Sequence, residues 1–401
     1  MTCGKKGPVL LQDTLLLEEL RQFDSERVPE RVVHAKGGGA FGSFTVTHSE
    51  IANYTKASVF SDVGKKTPVF ARFSTVAGEL GSADTVRDVR GFALKFYTDD
   101  GVWDLVGNSF PVGPVRDAFR FPSMVHSRKR NPKTHLPDRN AFWDFISLMP
   151  ETVHQMLFIF SDRGIPDGFR FMHGFSINTF KLVNAENNAV YCRFHFITNQ
   201  GIKNIEPDVA RRIAGDDPNY AIRDLYNAIE SGEYPSWTMF IQVMTFEEAR
   251  NWYHDPFDVT KVWPHKEFPL IEVGQLMLNR NPDNYFAQVE QSAFDPANVV
   301  PGIEASPDIE LQGRFFSYID TQRHRLGSNF FKLPINRPLS KPVTPTERDG
   351  ESVHDDNMDG SPNYFPNSYS NAKTDKNFNE HSFRVTSIPD VDRYDSTNED
   401  N

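Results

Sequence analysis

Hydrophobic and polar positions alternate along two blocks of the chain, a pattern typical of half-buried β-strands. Between Ser43 and Pro111 the alternating runs are SFTVTH, TPVFARFSTV and FALKFYTDDGVWDLV. Asp99-Asp100-Gly101 interrupts the last run with residues that favour a tight hairpin turn. The second block contains FKLVNAENNAVYCRFHFIT, which turns at Glu186-Asn187-Asn188, and SWTMFIQVMT. These segments predict antiparallel meanders with enough strands to close a barrel.

Helical patterns lie between the strand blocks and after them. PETVHQMLFIF predicts a helix with Pro150 at its start, and Thr245 followed by Glu248 forms a capping box that predicts a strand end and the helix FEEARNWYH. Beyond about Asp283 the pattern becomes irregular, and it recovers in LQGRFFSYIDTQRHR, a helix that Gly327 should end. The mixture predicts an α+β protein.

Composition narrows the classes of partner. The 401 residues include 34 phenylalanines, and the formal net charge is -11. Residues 341–401 carry 13 acids and 6 bases, a net of -7, in a polar tail that we expect to be extended or partly disordered. No basic face for nucleic acid is visible. The longest apolar run, Met156 to Phe160, is too short to span a bilayer, and the start lacks the apolar core of a signal peptide.

An unusual concentration of positive charge surrounds one tyrosine in GRFFSYIDTQRHRLG, residues 313–327. Arg314 and Tyr318 are four positions apart and therefore lie on one face of the predicted helix. A tyrosine has an ordinary pKa of about 10, so a phenolate at neutral pH needs nearby cations or a metal such as a ferric haem iron. Judged on this helix alone, a surface helix whose arginines pair with acids stays the alternative.

Several long motifs, in order, resemble the monofunctional haem catalases, and the resemblance runs from about Lys6 to the tail. The motifs are RVVHAKG at Arg31–Gly37, RFSTVAGE at Arg72–Glu79, GSADTVRD at Gly81–Asp88, WDLVGN at Trp103–Asn108, FSDRGIPDG at Phe160–Gly168 and LNRNPDNYFAQVEQ at Leu278–Gln291. The resemblance implies a catalase-type antiparallel eight-stranded β-barrel with inserted helices and an extended wrapping segment.

The resemblance also implies a division of the chain. Residues 1–30 form an amino-terminal arm and residues 31–282 a haem-binding barrel domain. Residues 283–401 form the wrapping segment, with the proximal haem-ligand helix and the acidic tail, and the carboxy-terminal helical domain of full-length members is absent. In the family the arm and the wrapping segment interlock four subunits, so a homo-oligomer is implied, although the shorter ends leave the tetramer open.

Three residues match the family's distal catalytic positions. His34 matches the histidine that takes a proton from peroxide and returns it to the departing oxygen, a task suited to imidazole. Asn108 matches the amide that holds the peroxide, and Ser74 matches the hydroxyl that orients the histidine ring. Without the resemblance, a lone histidine such as His34 is more often structural or solvated than catalytic.

Five residues match the family's haem-binding positions. Tyr318 matches the ligand of the iron, and Arg314 matches the guanidinium beside it. Arg31, Arg72 and Arg325 match arginines that hold the haem propionates, a role suited to the bidentate pairing of guanidinium with carboxylate.

Two features depart from the family pattern. Gly113 and Pro114 stand where two phenylalanines are expected, which predicts easier access for bulkier hydroperoxides or electron donors. The NADPH site of large relatives is matched only in part, so NADPH binding is doubtful. His173 and Ile197 replace an expected asparagine and lysine, whereas matching positions are His154, Ser161, Arg163, Trp263, His265 and Lys266.

The function that the resemblance implies is a haem catalase that decomposes hydrogen peroxide to water and dioxygen and protects against oxidative stress. Two alternatives stay open: a catalase-fold peroxidase that acts on organic hydroperoxides or donors, and a catalase-like protein without turnover. The resemblance implies an intracellular protein, peroxisomal or cytoplasmic, and no targeting signal is visible in the sequence.

Overall fold

The computed structural model describes residues 1–340, 348–351, 353, 355–356 and 358–369. Its strands are β1 Gly37–Val46, β2 Lys66–Thr75, β3 Arg90–Thr98, β4 Gly101–Asn108, β5 Gly174–Phe175, β6 Phe180–Val183, β7 Ala189–Thr198, β8 Ser236–Met244, β9 Ile271–Arg280 and β10 Ile303–Ala305. Its α-helices are α1 Thr14–Ser25, α2 Phe121–Ser127, α3 Arg139–Leu148, α4 Val153–Phe160, α5 Pro207–Asp216, α6 Tyr220–Glu230, α7 Phe246–Asn251 and α8 Ile309–Leu326. Much of the predicted tail lies outside the described residues.

Eight of the strands form a closed antiparallel ring. The order is β7-β5-β4-β3-β2-β1-β9-β8, and the pairing of β8 with β7 closes it. Strands β6 and β10 extend the sheet beside β7. Closure leaves the ring without a free edge. The predicted α+β fold with an eight-stranded antiparallel barrel is therefore confirmed.

Side-chain alternation gives the barrel wall two different faces. Phe73 and Phe92, on β2 and β3, pack edge to face with ring centroids 5.2 Å apart in the main aromatic core. Their sequence neighbours Ser74, Gly91 and Ala93 line a cavity instead. Because successive side chains of a strand point to opposite faces, this cavity lies on the other side of the wall from the aromatic core.

The predicted turns, the start of α7 and the end of α8 form as the sequence predicts, whereas α7 ends at Asn251 and leaves out the last three residues of the predicted helix FEEARNWYH. Gly101, with φ of 132°, follows the Asp99-Asp100 turn that joins β3 to β4, and Asn187, with φ of 69°, lies in the turn from β6 to β7. The capping box of Thr245 and Glu248 is present at the start of α7. Helix α8 ends before Gly327, whose φ is 94°.

Irregular chain after β9 packs against the barrel through a buried ion pair. Lys95 and Asp104 face each other across β3 and β4, and the Lys95 Nζ lies 2.7 Å from Asp104 Oδ1. Asp104 also accepts hydrogen bonds from the Asp295 backbone and the Asn298 side chain. One carboxylate therefore joins two strands to the segment that leads to α8.

Among the described residues, no helix combines the length and apolar character needed to cross a bilayer.

Candidate active site

A cavity of about 380 Å³ separates the outer face of β2, β3 and β4 from α8. It falls within the usual size range of ligand pockets. His34 and Tyr318 both line it, although they are far apart in the sequence. Most of its remaining wall is apolar and includes Val33, Val76, Val89, Ala93, Val106, Val125, Ile177 and Phe294. The cavity suits a large apolar ligand that needs polar contacts at a few points only.

His34 and Ser74 form a hydrogen-bonded pair at this cavity. The Nδ1 atom of His34 lies 2.9 Å from the Ser74 hydroxyl, and the backbone carbonyl of His34 accepts a hydrogen bond of 2.9 Å from Arg72. A Cβ atom at Gly91 would lie 2.4 Å from the Ser74 oxygen and 2.6 Å from His34 Nδ1. Glycine at position 91 therefore provides the room for the pair. The alignment of motifs missed Gly91, although a glycine inside a strand pattern signals a close approach.

The imidazole of His34 is held in its neutral form. Burial, followed by the charges of Arg72, Arg314 and Arg31, lowers the pKa of His34 from 6.5 to about 3. A neutral imidazole can accept a proton, whereas an imidazolium cannot. His34 is therefore available as a base throughout the neutral pH range.

Asn108 lines the same cavity at the end of β4. Its backbone pairs with Gly91 on one side and with Phe175 of β5 on the other. Because Gly91 also adjoins His34 and Ser74, the sheet register brings the three predicted distal residues to one region of the cavity wall.

Tyr318 lies on α8 and is paired with Arg314. One guanidinium nitrogen of Arg314 donates to the Tyr318 phenol oxygen at 3.1 Å and to the backbone carbonyl of Val106 at 2.8 Å. A second nitrogen of Arg314 donates to the side-chain oxygen of Asn178. The guanidinium is thus anchored to the barrel wall and placed one helical turn from the phenol. The guanidinium therefore presents a charged donor to the phenol oxygen.

Arg31, Arg72 and Arg325, here called the arginine cluster, lie at one end of the site. Arg31 and Arg325 converge on one short segment, where both donate to the backbone carbonyls of Glu290 and Ser292. Burial and the charges of Arg72 and Arg325 lower the pKa of Arg31. Arg31 and Arg72 line the cavity, whereas Arg325 lies behind the residues that line it.

These residues fit a haem. The Nε atoms of Arg72 and Arg325 are buried without a hydrogen-bond partner among the described residues, and Glu290 is the acid paired with two members of the arginine cluster. The cluster therefore has unpaired N–H donors and more positive than negative charge, and both features suit carboxylates such as propionates. The phenol of Tyr318 supplies an oxygen for a ferric iron, and the apolar walls suit a macrocycle.

The two departures from the family pattern have different surroundings. Gly113 and Pro114 line the cavity, but a Cβ atom at Gly113 would lie only 3.0 Å from Val259 and 3.5 Å from Ile177. The space beside Gly113 is thus occupied by these two aliphatic side chains, whereas Pro114 adjoins the open cavity.

The residues of the partial NADPH match lie outside the wall of the cavity. His154 is bonded to the carbonyl of Thr260, and His173 accepts a hydrogen bond from the backbone of Thr198. Burial lowers the pKa of His173 from 6.5 to about 4, so the ring is neutral at neutral pH. A neutral ring offers no positive charge to an anionic ligand such as NADPH. Arg163, His265 and Lys266 are exposed, Ser161 donates to the carbonyl of Phe158, and Trp263 is buried.

Comparison with known proteins identifies the family. The catalase family model matches residues 1–371. The chain is 60% identical over 401 residues to the catalase of Danio rerio and spans 76% of that protein, and it is 57% identical to catalase-2 of Caenorhabditis elegans, of which it spans 80%. The solved structure of catalase A from Saccharomyces cerevisiae superposes with a TM-score of 0.94 at 45% identity, covering 98% of this chain and 81% of that one.

The chain belongs to the catalase family. Both the fold and the class of enzyme, a catalase, are confirmed as predicted from the sequence motifs.

Proposed function

We propose that this chain is a haem catalase that decomposes hydrogen peroxide to water and dioxygen in the cavity between His34 and Tyr318. The observation that carries the proposal is that two hydrogen-bonded pairs line one large, mostly apolar cavity. These pairs are His34 with Ser74 and Tyr318 with Arg314. Membership in the catalase family supports the reaction.

Haem would be held from two directions. Tyr318 would bind the iron, as tyrosine does in catalases, and the arginine cluster would hold the propionates. The haem, when bound, supplies the oxidation and reduction chemistry. Arg314 stabilises the phenolate of Tyr318, and the apolar walls exclude water from the space between the two faces.

His34 carries the proton transfers. Its neutral ring accepts a proton from peroxide and returns it to the departing oxygen. The Ser74 hydroxyl at Nδ1 holds the ring orientation, so that the opposite nitrogen, Nε2, is left for the substrate. The amide of Asn108 binds and orients the peroxide.

An oxygen electrode tests the proposed reaction. We expect the purified, haem-loaded chain to release one dioxygen for every two molecules of hydrogen peroxide consumed. His34→Ala removes the base and should lower the rate by about 10²–10⁴-fold, while haem content and absorption spectrum are retained. Tyr318→Phe should abolish the tyrosinate signature of the ferric spectrum. His126→Ala, at the cavity but outside the proposed pairs, is the matched histidine control.

Each contrary outcome points to a different alternative. Peroxide loss that depends on an added donor and releases no dioxygen would indicate a peroxidase. Absence of haem uptake would indicate a catalase-like protein without turnover.

A further inference from the structure

Arg128 lines the cavity at the end of α2, and the proposed reaction gives it no role. Its side chain is 9% exposed, and its guanidinium lies 5.5 Å from the centre of the Phe142 ring on α3. It is separate from the arginine cluster, because Arg31 and Arg325 converge instead on the backbone of Glu290. The cavity therefore has a further cation whose purpose is open.

The guanidinium of Arg128 has two donor atoms without a partner. Its Nε and Nη2 atoms are buried and make no hydrogen bond to any residue that the structure describes. An unpaired buried donor is uncommon in a folded protein, and a bound water or ion is one way to satisfy it. Leaving a charged donor unpaired is more costly than leaving a neutral one unpaired. Arg128 thus has binding capacity that its neighbours do not use.

The acid paired with Arg128 does not occupy these donors. Asp88 Oδ1 lies 3.8 Å from Arg128 Nη1, which is beyond hydrogen-bond distance. Both oxygens of this carboxylate already have backbone partners. One accepts from the amides of Val76 and Ala77 at 2.7 Å, and the other accepts from the amide of Val89 at 2.9 Å. The backbone therefore holds Asp88, and the Nε–Nη2 edge of Arg128 stays free.

The same edge of other arginines in this protein binds carboxylates. Arg170 donates from Nε and Nη2 to the two oxygens of Asp224 at 2.9 and 2.8 Å. Arg130 binds Glu79 through the same two atoms, at 2.6 and 2.9 Å. Two parallel N–H groups match the two oxygens of a carboxylate, which makes the pairing specific as well as strong. The free edge of Arg128 therefore suits a carboxylate.

We infer that Arg128 forms an anion-binding subsite at the cavity and that its ligand is a carboxylate. Met124 and Val125, which precede it on α2, are buried and also line the cavity. Apolar surroundings of this kind strengthen the attraction between the guanidinium and an anion. The carboxylate is either a small free anion or one end of an organic hydroperoxide. The subsite goes beyond the proposed reaction, because hydrogen peroxide carries no carboxylate.

Calorimetric titration of the haem-loaded protein with acetate tests the subsite without turnover. Arg128→Gln should raise the Kd for acetate by about tenfold or more, the value of a hydrogen bond to a charged group. Arg128→Lys keeps the charge but not the paired donors, so its Kd should lie between those of the native chain and Arg128→Gln. Arg130→Gln is the matched control, because Glu79 already occupies that edge, and its Kd should equal the native value.

Two results would overturn the inference: equal acetate affinity in the native chain and Arg128→Gln, or no acetate binding by the native chain. If Arg128→Gln does not fold, Arg128→Lys decides, since native affinity in that variant would overturn the inference equally. Acetate that changes the ferric absorption spectrum to the same extent in the native chain and in the variant would show binding at the iron instead. Intact acetate binding without dioxygen release would contradict the proposed function alone.

A pair of hydroperoxides identifies the source of the carboxylate. The values of kcat/KM are compared for a hydroperoxide that carries a carboxylate and for its methyl ester. Preference for the acid that disappears in Arg128→Gln would show that Arg128 holds one end of an organic substrate. Equal values, together with acetate binding that depends on Arg128, would show a site for a free anion. Both results support the subsite.

Discussion

His34 has a backbone conformation that is uncommon for residues other than glycine, with φ of 64°. Its amide donates to the Val76 carbonyl at 3.0 Å, and its carbonyl accepts from Arg72. Strain of this kind is typical of functional sites. Arg72, a member of the arginine cluster, therefore also helps to hold the backbone of His34 in place.

The hydrogen bond between His34 and Ser74 can form only because residue 91 has no side chain. Gly91→Ala would place a methyl group within 3 Å of both partners, so we expect the pair to separate and the catalase rate to fall by about tenfold or more, in line with the 10²–10⁴-fold value of a positioned base. Oxygen release and haem content check this. Gly81→Ala is the control, because its Cβ would meet no atom within 4 Å. An unchanged rate in Gly91→Ala would contradict the prediction.

Pro114 is the departure from the family pattern that adjoins open cavity. Pro114→Phe should reduce the rate with bulky organic hydroperoxides relative to hydrogen peroxide, because an aromatic ring would fill space beside the distal residues. The ratio of the two kcat/KM values is the measurement. Gly113→Phe is unsuited to this test, since its Cβ atom alone would lie 3.0 Å from the Val259 side chain. A ratio equal to that of the native chain would show that Pro114 does not control access.

His195 is buried in β7, and neither ring nitrogen makes a hydrogen bond of normal geometry to a described residue. Burial, followed by the charges of His265 and Arg193, lowers the pKa of His195 from 6.5 to about 3. Below pH 6.5 the unfolded chain gains a proton on this ring that the folded chain does not bind. The free energy of unfolding should therefore fall as the pH drops from 6.5 towards 3.

Replacing this ring should reduce that pH dependence. In His195→Phe, the loss of unfolding free energy between pH 6.5 and pH 5 should be smaller by up to about 2 kcal/mol, because the group that titrates only in the unfolded state is gone. Denaturant unfolding at the two pH values measures the difference. His254→Phe, with an exposed ring, serves as the control. Parallel pH profiles of His195→Phe and the native chain would be contrary to the prediction.

At the scale of elements, the placement of α8 depends on one close approach. A Cβ atom at Gly313 would lie 2.2 Å from the Cβ of Ala118, in the short helical turn Ala118–Arg120. Gly313 thus lets α8 come near this turn. The position of Arg314 and Tyr318 over the cavity follows from it.

Alanine at two helical glycines should have opposite effects. Gly215→Ala, in α5, meets no atom within 4 Å and should stabilise the protein by roughly 0.5–1 kcal/mol, the gain in helix propensity. Gly313→Ala should destabilise it and alter the tyrosinate spectrum, because α8 must move away from Ala118. Thermal unfolding and the ferric spectrum measure both. Stabilisation by Gly313→Ala, with an unchanged spectrum, would contradict the prediction.

Much of the element structure is predictable from local sequence. The Asp99-Asp100-Gly101 turn, the Thr245–Glu248 box and the stop at Gly327 each depend on residues a few positions apart, and each forms as predicted. Motif resemblance supplied the candidate site residues, and the structure brings His34, Ser74, Asn108, Arg314 and Tyr318 to one cavity. Their catalytic roles, and the division of the chain at Asp283, stay predictions.

Features that depend on pairs of distant residues were not predictable. Nothing in the local pattern indicates that Asn178 should bind Arg314, or that Ser74 and His34 should be the groups that approach Gly91. The left-handed backbone of Ile177 is likewise contrary to the preference of a β-branched residue. Such contacts arise from strand register and helix placement, which cannot be read from the local sequence pattern.

At the scale of the whole molecule, the Lys95–Asp104 pair joins the barrel to the segment before α8. Both side chains are almost fully buried. Removing one partner of a buried pair leaves an uncompensated charge, which is far more costly than loss of an exposed pair.

Lys95→Met should therefore lower the free energy of unfolding by about 3–5 kcal/mol. Lys65→Met is the comparison, since Lys65 pairs with an exposed Asp99 and its loss should cost less than about 1 kcal/mol. Chemical denaturation measures both. Similar small costs for the two variants would show that Asp104 is adequately satisfied by Asp295 and Asn298.

The two faces of the cavity come from distant parts of the chain, His34 from the segment before β1 and Tyr318 from α8. Because a ribosome makes the chain from its amino end, the barrel wall with His34 emerges long before the helix with Tyr318. A nascent chain consequently has no complete pocket to offer. Under the proposed ligation by Tyr318, haem is captured only after both faces of the cavity have been synthesised.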